Sequence, residues 1–68
     1  MEYVQTLRIE EAKHLLETTA DPTDVVAARV GYEEPSFFRR LFKRRTGVTP
    51  ARYRQRFQGV GRARQPAG

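Results

Sequence analysis

The sequence predicts an all-α fold of four helices in one small domain. Three observations point there. Apolar residues recur at helical spacing, and no segment sustains the period-two alternation of a strand. Pro and Gly fall where helices start and stop rather than within them. The chain has 68 residues, room for a single domain whose modest buried surface makes its stability marginal.

The first helix spans residues 2–18, a stretch without Gly or Pro in which good helix formers dominate. On a helical wheel Val4, Ile9, Ala12, Leu15 and Leu16 fill an arc of about 140°, with Arg8 inside it as a candidate partner for an acid. Tyr3 and Leu7 fall on an adjacent face that the rest of a small domain does not need. The second helix is short, about Pro22 to Val30. Asp21 is its expected cap, Pro22 its first residue, and Asp24 favours the positive end of its dipole. Val26, Ala27 and Val30 are spaced to face a core, and Gly31 ends the helix. Tyr32 anchors the turn. The third helix, 34–46, has Glu33 or Glu34 as cap and Pro35 in its first turn, runs to about Thr46 and stops at Gly47. Thr49 caps the last helix, which starts at Pro50, ends near Phe57 and carries Tyr53 and Phe57 on one face. Residues 1–58 form the domain. Residues 59–68, GVGRARQPAG, offer little to bury and read as a disordered basic tail.

Charge is distributed unevenly. The net charge is +5, yet residues 1–34 hold all eight acids against three bases, a balance of −5. Residues 35–68 hold ten bases and no acid, +10. A positive field on one side of a small body is the footprint of a polyanion partner. Other classes find little support. The chain has no cysteine and one histidine, His14, so neither a metal cluster nor a disulfide is expected. No nucleophile–base pair or phosphate-cradling Gly loop marks an enzyme, so no catalytic residue and no cofactor are expected. Apolar runs fall short of the roughly 20 residues that span a bilayer, and no signal peptide is visible, which makes the cytoplasm the expected compartment and a membrane partner unexpected.

Function is most legible on the third helix. Helix 22–30, the turn 31–33 and helix 34–46 have helix-turn-helix spacing: small Ala27 allows close approach, and Gly31 allows the sharp turn. With Phe38, Leu41 and Phe42 on the buried side, Ser36, Arg40 and Lys43 lie about 140–160° away and Arg39 and Arg44 flank them. That face is polar and cationic, as the major groove of duplex DNA requires. The N-terminal part of such a helix meets base edges, which makes Ser36, Arg39 and Arg40 candidate base readers. Phe37 lies on the boundary, suited to packing or to a thymine methyl. Lys43 and Arg44, further along, and Arg52 on the last helix are candidate phosphate contacts. Arg45 suits a structural role. Glu10, Glu11, Glu17 and His14 read as solvated surface.

The segments LRIEEAKHLLE (7–17) and VVAARVGYEEPSFFRRLFKRRTGVTPARYR (25–54), with VGY (30–32), FRRLFKRRTGVTP (38–50) and Tyr53 within the latter, resemble the C-terminal part of the DNA-binding domain of AraC/XylS-type transcriptional regulators. The resemblance covers about four-fifths of the chain and is somewhat like the branch with an amidotransferase-like sensor domain upstream. It implies a homeodomain-like three-helix core preceded by a long linking helix, the second of two helix-turn-helix units. A first unit and an effector or sensor domain would then stand upstream, RNA polymerase would be a possible partner, and Met1 would mark an excised or truncated piece. By position, Ser36, Phe37, Arg39 and Arg40 fall where the second recognition helix approaches the groove. Three positions depart from the family pattern: Pro35 stands where Gln is common, Phe37 where His or Thr is common, and Thr23 where an aliphatic is usual. The expected function is sequence-specific binding of double-stranded DNA. The alternative is a protein-interaction or dimerisation module that uses the apolar face at Tyr3 and Leu7.

Overall fold

A computed structural model describes residues 2–57 of the chain. Among them are four helices and no strand: α1 (Glu2–Thr18), α2 (Thr23–Arg29), α3 (Pro35–Thr46) and α4 (residues 50–57). The basic tail at 59–68 lies outside the described residues.

One core joins the elements. Ile9, Ala12, Leu15 and Leu16 of α1 pack with Val26, Ala27 and Val30 around α2, with Tyr32 of the turn, and with Phe38, Leu41 and Phe42 of α3. Val48 and Tyr53 close it from the α4 side. Aromatic rings run through it in a chain, Tyr32 to Phe38 to Phe42 to Tyr53, with centroids 5.7–5.8 Å apart, the separation at which tilted rings attract. Tyr53 continues to Phe57 by stacking at 6.2 Å.

The turn between α2 and α3 explains the need for glycine. Gly31 has φ of +101°. Its N–H bonds the Ala28 carbonyl at 3.1 Å and the Tyr32 N–H bonds the Ala27 carbonyl at 2.9 Å, the paired bonds of a Schellman end. A Cβ at Gly31 would also lie 3.2 Å from the guanidinium carbon of Arg8. Arg8 therefore crosses the bare glycine to reach the Tyr32 ring, 5.2 Å from its centroid. The acid expected as its partner is replaced by an aromatic face.

Three further expectations need correction. Val4 is 43% exposed and does not join the core; Tyr3 and Leu7, at 74% and 51%, are exposed with it. Asp21 does not cap α2. Pro22 occupies the cap position without a side-chain bond, its carbonyl accepting from the Val26 N–H, and Asp21 instead accepts from Arg29 at 2.8 Å. Glu34 holds the cap position of α3, but its side chain makes no capping bond; Pro35 at the first position supplies a φ preset for the helix. Gly47, with φ of +87°, ends α3, and the Thr49 hydroxyl caps α4 by accepting from the Arg52 N–H at 3.1 Å.

Candidate nucleic-acid interface

The interface is built on α3, whose inner side is anchored by Phe38, Leu41 and Phe42, all buried. Burial of one face fixes the rotation of the helix, and so decides what the other face presents. Ser36, Arg39, Arg40, Lys43 and Arg44 are all exposed there, on one continuous cationic surface. No acid follows Glu34 in the sequence, so nothing on α3 or α4 neutralises it locally.

The candidates differ in what they touch. Arg40, Lys43 and Arg44 have no protein partner among the described residues and are available to a ligand. Arg39 donates to Asp24 at the start of α2, 2.8 Å away, in an ion pair exposed on both sides. Exposed pairs of this kind contribute about 0–1 kcal/mol, a cost small enough for a bidentate base contact to offset. Phe37 is 42% exposed, and its ring lies 5.8 Å from that of Tyr32. One edge packs on the turn, as the packing reading of Phe37 expects, while the rest faces out. Arg52 is exposed on α4 and shares a concavity with Lys43, the two on neighbouring elements.

The residues that hold this surface in place were less visible in sequence. Arg45 reaches back to α1, donating to Gln5 Oε1 at 3.0 Å and Thr6 Oγ1 at 3.1 Å, and so ties the end of α3 to the linking helix. Arg54 donates from Nε to the Leu16 carbonyl at 3.3 Å and from Nη2 to the Thr19 carbonyl at 3.0 Å. Helix α1 has no base in its last turn, and Arg54 supplies, from another helix, the positive charge its orphan carbonyls favour. The Tyr53 hydroxyl donates to the Glu17 carboxylate, so Glu17 is part of a structural contact rather than simple solvated surface. Burial, followed by the Glu17 hydrogen bond and its negative charge, pushes the Tyr53 phenol up to about 12. The place of Arg45 on the inner side of its helix signals its structural role in advance; for Arg54 and Tyr53 the signal is an α1 end rich in acid and hydroxyl but lacking a base.

Among the described residues no cluster of His, Cys, Asp or Glu could hold a metal ion, and no helix is long and apolar enough to cross a membrane.

The chain is similar to known regulators over most of its length. The family model for a helix-turn-helix domain matches residues 1–56. The chain is 43% identical over 54 residues to the uncharacterised HTH-type transcriptional regulator YisR of Bacillus subtilis, an alignment covering 79% of this chain and 19% of that protein. It is 42% identical over 55 residues to the HTH-type transcriptional regulator Rv1931c of Mycobacterium tuberculosis, covering 81% of this chain and 21% of the relative. It is 40% identical over 55 residues to the HTH-type transcriptional activator RhaR of Yersinia pseudotuberculosis, covering 81% and 19%. The chain thus spans about a fifth of the length of these relatives. No solved structure matches it.

Proposed function

The chain belongs to the AraC-type helix-turn-helix family of transcriptional regulators, and from that premise we propose that it binds duplex DNA by laying α3 in the major groove. The observation that carries this reading is the outer face of α3: five exposed polar or cationic side chains opposite a fully buried apolar side. Ser36, Arg39 and Arg40, at the N-terminal end, read base edges, and Phe37 contacts a thymine methyl with its exposed edge. Lys43, Arg44 and Arg52 neutralise backbone phosphates. In a complete regulator, this unit acts beside a further helix-turn-helix and an effector-sensing domain, and RNA polymerase is the machinery its binding would influence. On its own, a single recognition helix binds weakly, near the non-specific range of about 10⁻⁴ to 10⁻⁶ M.

Titration of Arg40→Ala and Lys43→Ala against duplex DNA at several salt concentrations tests the assignment. Arg40→Ala costs about 1–3 kcal/mol and relaxes preference at one base pair. Lys43→Ala weakens all sequences alike and makes the slope of log K against log salt shallower by about 0.9. If both variants keep the parent's affinity and slope, α3 is not the recognition helix.

A second reading has its own observation. Tyr3, Val4 and Leu7 leave an exposed apolar strip on the first two turns of α1, a surface suited to a protein partner. Sedimentation separates the two. A tight dimer that persists in Tyr3→Ser and Leu7→Ser rules this strip out as its interface.

A further inference from the structure

At the corner where α3 hands over to α4, three cations converge on one hollow. Lys43, Arg52 and Arg56 line a concavity of about 570 Å³ whose floor is Gly47, Val48 and Thr49. All three cations are exposed, and none has a protein partner among the described residues. Arg52 and Arg56 stand four apart on one face of α4, a like-charge pair that disfavours the helix, and no acid lies nearby in sequence to offset it. They sit on a rigid element, since Tyr53 and Arg54, between them, fasten α4 to Glu17 and to the end of α1. The floor is open. A Cβ built on Gly47 would meet nothing within 4 Å. The Thr49 hydroxyl accepts the capping bond from Arg52 and keeps its own proton to donate.

We propose that Lys43, Thr49, Arg52 and Arg56 form a grip for a single phosphate group, which in the bound state is a phosphodiester of the duplex backbone. Guanidinium groups hold phosphate oxygens in pairs, and Lys43 adds a point charge. The grip rests on the reading of the chain as a duplex binder and adds a geometric constraint to it. Lys43 follows Ser36 by seven residues, about 10 Å along the helix axis. That is close to the roughly 12 Å width of the major groove. A phosphate held at this corner therefore fixes how deep and in what register the N-terminal end of α3 meets the bases.

The test uses the 68-residue chain and the double variant Arg52→Gln/Arg56→Gln, followed by amide NMR signals and by duplex affinity across a salt series. Two probes are titrated separately, a duplex oligonucleotide and inorganic phosphate. Expected with the duplex are shifts of the Gly47 and Thr49 signals in the parent. The double variant should bind about 5- to 10-fold more weakly, with a salt slope shallower by about 1 and an unchanged order of sequence preference. Shifts with inorganic phosphate alone, lost in the double variant, assign the grip to free phosphate rather than to the backbone. Duplex binding that is equal in parent and variant, in affinity and slope, overturns the grip while leaving the recognition helix standing. If the parent binds no duplex, the functional reading fails by itself. The grip is then overturned too unless inorganic phosphate moves Gly47 and Thr49 in the parent and not in the variant.

Discussion

Gly31 carries two duties at one position. Its φ of +101° is a conformation that L side chains adopt only under strain, and its missing Cβ leaves the space in which Arg8 lies over Tyr32. Gly31→Ala is expected to destabilise the fold by roughly 1–3 kcal/mol. Adding Arg8→Ala should then cost less than the two separate losses sum to, because the alanine methyl no longer meets a guanidinium. Chemical denaturation of the double-mutant cycle measures this. Strict additivity would show that Arg8 does not occupy that space in solution. Tyr32 gives the opposite sign. Its ring is buried among Phe37, Phe38 and Arg8, but its hydroxyl has no hydrogen-bond partner. A buried unsatisfied hydroxyl costs about 1–3 kcal/mol, so Tyr32→Phe is expected to be neutral or stabilising. A clear fall in melting temperature would mean that the hydroxyl is satisfied.

At the scale of elements, α4 and α1 are joined by polar contacts at the rim of the core. The Tyr53 phenol, raised from 10.0 to about 12 by burial and by the Glu17 hydrogen bond, holds its proton more firmly folded than unfolded. A raised folded value contributes stability that is fully present below pH 10 and lost as pH climbs from 10 through 12. Melting temperature should therefore fall over that window in the parent. In Tyr53→Phe, which has no proton to lose, this component of the fall is absent, and the gap between the two chains narrows with rising pH. Parallel curves would show that the Tyr53 proton is not linked to folding. The same element carries Arg54, whose hold on the Leu16 and Thr19 carbonyls keeps α4 from swinging away with Arg52 and Arg56.

Over the whole molecule, the separation of charge decides what the domain can approach. Acids are confined to the first 34 residues and most bases to the remainder, so the fold joins a net-negative α1–α2 half to a cationic α3–α4 half. If Arg44 and the corner grip, which includes Lys43, together neutralise about two phosphates, log K falls with log salt at a slope near −1.8. That is a loss of roughly 12-fold between about 50 and 200 mM salt, measurable by fluorescence anisotropy. A slope near zero would mean that this half does not meet a polyanion.

The sequence by itself determined the helices, their ends and most of the core. Proline, glycine and apolar spacing act locally, through φ restriction and side-chain periodicity, and Pro35, Gly31, Gly47 and Thr49 each act where those rules place them. It also determined which side of α3 faces outward, since Phe38, Leu41 and Phe42 fix that rotation from within one element. Only the tertiary structure decided the contacts between distant residues. Arg8 chose a ring rather than an acid, Asp21 paired with Arg29 rather than capping, and Val4 stayed exposed. Arg54, equivalent on charge alone to Arg52, became structural because of which neighbours lay within reach, and Arg45, on the inner side of α3, found its particular partners on α1. A long cation's role depends on what comes within about 3 Å of its tip, and that distance is set by how helices cross, which periodicity along one chain does not specify.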